Sequence, residues 1–133
     1  MDKFLGRYND YAYAALRVVA GLLFACHGLQ KVFGAFGGAH GSGAAEATLT
    51  FAWFSGAIEL LGLLIALGVL TGCVAFLCSG EMAVGYFMAH APHGFWPIQN
   101  HGELAVVYCF LFLYLATRGD GRFSVGALLR TKK

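Results

Sequence analysis

The chain has 133 residues, room for one domain, and a formal charge of +2, too small to suggest a nucleic-acid partner. It is 59% hydrophobic and only 12% charged, with a mean hydropathy of +0.67. A soluble domain uses about 25% charged residues to cover its surface, so an ordinary water-facing fold is excluded and contact with a lipid bilayer is expected.

In chain order, Phe4, Leu5, Tyr8, Tyr11 and Tyr13 come first, interleaved with Lys3 and Arg7. That mixture suits a short segment lying among lipid headgroups. Crossing ~30 Å of hydrocarbon takes ~20 helical residues, and residues 12–33 form the first predicted span. The apolar stretch after Arg17 superficially matches a signal-peptide core. Lys31 and a glycine-rich loop follow it without a small-residue cleavage site, so the segment is expected to be retained. Residues 34–49 read as a loop whose second half forms a short helix capped near Ser42. A second span is predicted over residues 50–70 and a third over residues 72–91. Thr71 and Gly72 are left as the turn of a tight antiparallel hairpin. Residues 90–102 hold Pro92, Pro97, Trp96 and three histidines. Proline lacks an amide donor and breaks helices, so a compact surface loop is expected there. The fourth span, residues 102–117, is the shortest. Beyond it, Phe123, Val125, Leu128 and Leu129 alternate with basic residues in a second interfacial segment.

The 19 glycines suit helices that pack closely in a membrane. Cys26, Cys73, Cys78 and Cys109 form no C-x-x-C and read as small hydrophobes. Lys3, Arg7 and Arg17 stand at the N-terminal side, and Arg118, Arg122, Arg130, Lys132 and Lys133 follow the last span. The two long loops offer only Lys31. Because Lys and Arg favour the cytoplasmic face, the expected fold is an all-α, four-transmembrane-helix bundle with both termini cytoplasmic.

An ionisable residue inside a span costs several kcal/mol unless paired or hydrated, which marks it as a site candidate. Arg17, His27 and Lys31 lie on the first span, Glu59 on the second, Glu81 on the third and Glu103 at the start of the fourth. Arg17, Gly21, Phe24, Gly28 and Lys31 share one helical face. At ~1.5 Å rise per residue, His27, Glu59 and Glu81 converge in the outer half of the bundle, with Lys31 and Glu103 at the rim above. One reading is architectural: Arg17 or Lys31 neutralises Glu59 or Glu81. The other is a polar pocket for a quinone headgroup or another small ligand, or a proton relay. His90, His93 and His101 share an outer loop, and the His90-x-x-His93 spacing is compatible with a metal. Pro92 disrupts helical presentation and no Cys or Asp joins them, so no metal site is assigned.

The motifs Arg17-Val-Val-Ala-Gly21, His27-Gly-Leu-Gln-Lys31, Phe36-Gly-Gly, Glu59-Leu-Leu-Gly62, Leu67-Gly-Val-Leu-Thr71, His93-Gly-Phe-Trp-Pro97 and Asn100-His-Gly-Glu103 follow in this order. Together they resemble DoxX-like membrane proteins, a group that includes the small membrane subunit of thiosulfate:quinone oxidoreductase. The resemblance runs from about residue 12 to about residue 125, and its pattern leads us to expect glycine where His101 stands. It implies a single four-helix membrane domain, multi-pass in a prokaryotic inner (plasma) membrane. It further implies a membrane subunit linked to quinone-dependent redox chemistry, working with other membrane or membrane-associated subunits. No flavin, haem or iron–sulfur motif is visible, so no covalently bound cofactor and no enzymatic activity of the chain alone are expected. On this reading His27 and Lys31 bind a quinone carbonyl, Glu59 and Glu81 handle protons, and Arg17 is a structural counter-ion. Two other readings compete: an accessory structural subunit of a respiratory or photosynthetic complex, and a proton or small-solute transporter.

Overall fold

The computed structural model describes residues 2–132; Lys133 and the side chain of Lys3, both counted among the flanking basic residues, lie outside that description. The described chain is all-α, 76% helical and without strands. Helix α1 (Asp2–Leu5) and a 3-10 turn (Gly6–Tyr8) lead into α2 (Asn9–Phe33). Gly34 ends α2 in the left-handed conformation, its amide donating to the Gln30 carbonyl at 3.0 Å. Thr50 caps α3 (Phe51–Glu59) by accepting the Trp53 amide at 3.2 Å. A tightened turn at Leu60 and Leu61 carries α3 into α4 (Gly62–Leu67). Helix α5 (Thr71–Gly85) continues through a π-helical turn (Tyr86–His90) and a 3-10 turn (Ala91–His93). Helices α6 (Pro97–Asn100), α7 (Glu103–Arg118) and α8 (Val125–Thr131) complete the chain. Two stretches, Gly6–Phe33 and Thr71–His93, are long and apolar enough to cross a membrane; Phe51–Leu67 is apolar but shorter.

Two local expectations change. The hairpin turns at Gly68 and Leu70, both left-handed, and Thr71 already opens α5. Residues 38–50 form no helix: Ser42 accepts the Ala44 amide at 3.3 Å and caps nothing longer.

The packing is antiparallel around a ring. Helix α2 lies against α3 and α4, with Gly21 meeting Gly62 and Gly28 meeting Gly56. At both crossings backbone touches backbone, the close approach that glycine permits. A β-carbon at Gly28 would sit 2.6 Å from the Gly56 carbonyl oxygen and 2.7 Å from the Leu60 nitrogen. Helix α5 packs along α7, where the Ser79 hydroxyl donates to the Cys109 carbonyl at 2.8 Å. The ring closes between α2 and α7 through aromatic groups instead of glycines. Phe24 meets Phe112 at 4.6 Å and Tyr108 at 5.4 Å between ring centroids. The wider spacing that these rings impose opens a cleft above them.

At the end of the bundle that carries both termini, the chain after α7 folds back. Arg17 is 1% exposed. Its guanidinium donates to the carbonyls of Ile65 (2.5 Å), Ala66 (2.7 Å) and Phe123 (2.8 Å). The expected carboxylate partner is absent: Arg17 makes no salt bridge among the described residues and instead binds carbonyls in the last turn of α4, one of which, Ile65, also accepts the Gly68 amide at 3.0 Å, and the Phe123 carbonyl beyond α7. Asp120 does the converse for α5, accepting the Thr71 amide at 2.8 Å while Arg130 donates to its other oxygen at 2.9 Å. Burial pushes the Asp120 carboxyl up, but the Thr71 amide and Arg130 outweigh it and hold it below the usual carboxylate range. A depressed carboxyl stabilises the fold above its unfolded value, and that contribution is lost as pH falls through the lower folded value. Asp120→Ala should therefore cost about 1 kcal/mol near neutral pH. The gap to the parent should close on acidification below about pH 4, as read by thermal unfolding in detergent.

Candidate functional site

Above the Phe24–Tyr108 contact, the cleft between α2 and α7 holds a cavity of about 220 Å³. Its wall carries Lys31 and Glu59, and His27, His90 and His101 also line it. Glu59, only 3% exposed, pairs with the Lys31 ammonium at 2.7 Å. Lys31 also donates to the Ser55 hydroxyl at 2.9 Å, and that hydroxyl donates to Glu81 at 2.6 Å. One polar chain thus links α2, α3 and α5. The second oxygen of Glu59 and that of Glu81 are both buried without a hydrogen-bond partner among the described residues. A second cavity of about 210 Å³, lined by Ser55, Glu81 and Gly85, lies on the other side of Lys31 and shares Met82, His90 and Ala105 with the first.

The local sequence explains how these groups meet. Gly28, one turn before Lys31, and Gly56, next to Ser55, bring α2 and α3 to backbone contact, so the lysine stem needs little reach. The π-helical turn shifts the register at the end of α5, and His90 faces the first cavity with its Nδ1 3.1 Å from the Asn100 carbonyl oxygen. Single π turns inside helices recur at functional sites. Asn100 is 5% exposed and organises the covering loop. It donates to the Tyr86 hydroxyl at 3.2 Å and the Gly94 carbonyl at 2.5 Å, and accepts the Gly102 amide at 2.8 Å.

The predicted residues separate into two groups. Lys31, Glu59 and Glu81 come together, with Lys31 reaching down into the cluster instead of sitting at the rim. His27 joins the cavity, but its side chain is exposed at the mouth and makes no hydrogen bond among the described residues. Glu103 is exposed in the first turn of α7, apart from the cluster and without a salt bridge among the described residues. Of the loop histidines, His93 turns away to the Ala89 carbonyl at 3.2 Å. No three His, Cys, Asp or Glu side chains among the described residues gather as metal ligands would. His101 stands in the left-handed region at φ 58°, which accounts for the glycine expected there. A non-glycine residue in that conformation costs ~1–2 kcal/mol.

Ser55, Tyr108 and Asn100 were not foreseen as site residues. Ser55 lies one turn before Glu59 on the face of α3. That spacing is the one signal that could have found it.

The sequence model of the DoxX family matches residues 12–91. An uncharacterised protein of Haemophilus influenzae is 39% identical over 122 residues, covering 88% of this chain and 90% of the relative. No solved structure matches.

Proposed function

The chain belongs to the DoxX family of membrane proteins, and from that premise we propose that it is a membrane subunit whose polar cleft takes a quinone headgroup for a partner oxidoreductase. In this reading α2, α3 with α4, α5 and α7 are the four spans of one domain in a prokaryotic inner membrane. Both termini are cytoplasmic, as the basic flanks favour. Helix α7 has 16 residues and rises about 24 Å, so the bilayer thins beside it.

The observation that carries the reading is the Lys31–Glu59 pair in the wall of a cavity whose lining includes the exposed His27. A cavity of about 220 Å³ falls below the ~300–1,000 Å³ of a drug-sized ligand site. It suits one ring, with an isoprenoid tail left in the surrounding lipid. An ammonium has three donors, and Glu59 and Ser55 take two of those on Lys31. The third is available for a quinone carbonyl, and His27 offers a ring nitrogen from the mouth. The unpartnered oxygen of Glu59, and Glu81 through Ser55, take up or release the accompanying protons. Electrons come from the partner subunit.

In the native complex, His27→Ala should lower quinone-linked turnover about fivefold, the worth of one neutral hydrogen bond, and Glu59→Gln about a hundredfold or more, the worth of a positioned proton-transfer group. Unchanged turnover in both variants would overturn the assignment.

A second reading draws on the same chain of contacts. Lys31, Ser55, Glu59 and Glu81 bind one another across three helices, which suits an accessory subunit whose buried charges only fix helix register. The double variant Lys31→Met/Glu59→Gln, read by stability and by turnover, separates the two.

A further inference from the structure

At the opposite end of the bundle from the quinone cleft, a groove of about 410 Å³ runs between α2, α4 and α8. Val18, Leu67, Val125 and Leu128 wall it, and Arg17 and Arg122 line it. We propose that this groove binds an anionic glycerophospholipid, with the acyl chain along the apolar wall and the phosphodiester at Arg122 above the buried charge of Arg17.

Three observations carry this. The first is a buried charge with no direct partner of opposite sign: Arg17 is bonded to carbonyls and without a carboxylate salt bridge among the described residues, Asp120 acting on it only at longer range. A buried charge acts through a medium of low dielectric and is felt strongly at the adjacent surface. Arg17 is too enclosed to touch a ligand; it supplies field. The second is an accessible donor. The Arg122 side chain is 76% exposed, and among the described residues its one carboxylate contact is Asp10 at 4.0 Å. Arg118 approaches the same carboxylate at 3.8 Å. Exposed ion pairs of this kind are worth ~0–1 kcal/mol, so Arg122 exchanges Asp10 for a phosphate at little cost. The third is the wall. Leu67 and Leu128 are 53% and 65% exposed and flank the groove directly beside these cations. A soluble anion has no use for such a wall, whereas a lipid fills it. Basic pockets between membrane helices take anionic headgroups by this combination. The assignment does not depend on the quinone reading.

The test is lipid retention by the purified full chain, read by native mass spectrometry in mixed micelles of phosphatidylglycerol and phosphatidylcholine. The parent should retain phosphatidylglycerol preferentially, and Arg122→Gln should lower that preference about fivefold, the worth of one basic group at an anionic surface. Lys132→Gln, on the same flank but outside the groove, should leave it unchanged. Equal loss in both variants would mean diffuse surface charge and would overturn a located site. Displacement of the lipid by millimolar inorganic phosphate would reduce the groove to an anion site and would equally overturn the proposal. Arg17→Gln is left out of the test because Arg17 also holds the end of α4.

Discussion

Lys31→Met is expected to destabilise the bundle by about 3–5 kcal/mol, because it strands a buried carboxylate without its cation. Glu59 is 3% exposed, and the Lys31 side chain supplies its ion pair. The reverse change is milder. Lys31 is 25% exposed and keeps Ser55 and the cavity when Glu59 becomes Gln. The double variant Lys31→Met/Glu59→Gln removes both charges and should recover most of the loss, leaving a coupling energy of about 2 kcal/mol or more. Unfolding in mild detergent measures all four corners of the cycle. Additive losses would show that the two groups do not act as a pair. The double variant also separates the two functional readings. If it folds and its native complex turns over quinone as before, the pair is architectural. If it folds and turnover is lost, the pair serves the ligand.

The second large effect belongs to the glycine crossings. Gly28→Ala should cost toward the upper end of the ~1–3 kcal/mol seen for overpacking. The added carbon meets backbone atoms of Gly56 and Leu60, and neither can rotate away as a side chain would. Gly21→Ala should behave alike, since its β-carbon would stand 2.5 Å from the Gly62 carbonyl oxygen and 2.6 Å from the Ala66 nitrogen. The internal control is Gly80→Ala, on α5, where nothing lies within 4 Å. Alanine there should be neutral or stabilise by about 0.5–1 kcal/mol. Equal costs at Gly28 and Gly80 would show that the crossing is not where glycine matters.

Much of this arrangement is readable from residues alone, because helical periodicity is strict. Arg17, Gly21, Phe24 and Gly28 fall on one face by spacing, and all four are buried. Helix bounds fall within a few residues of the apolar runs at α2, at α7 and at α5 with its π-helical turn, whereas the run over residues 50–70 is broken at Leu60 and Leu61 into α3 and α4. What spacing cannot show is which partner a long side chain chooses. Lys31 and Arg17 share a face, yet Lys31 finds a carboxylate and Arg17 finds three carbonyls. That difference arises where α4 ends and the chain after α7 returns, a tertiary event with no local signature. Ser55 was overlooked for a related reason: a hydroxyl in a span is common, and its role appears only once Glu81 arrives from another helix. His27 shows the opposite failure. Its type and position suggested burial, but it lies on the edge of the packed face and opens outward.

The proposed function places a quinone ring in the cleft between α2 and α7. Photoaffinity labelling with an azido-quinone, followed by peptide mapping of the protein in membranes, tests it most directly. Label should concentrate on the α2 and α7 peptides containing Phe24, His27 and Tyr108, and excess unmodified quinone should suppress it. Label spread over the outward faces of α3 and α5, insensitive to that competitor, would mean that the cleft holds no quinone.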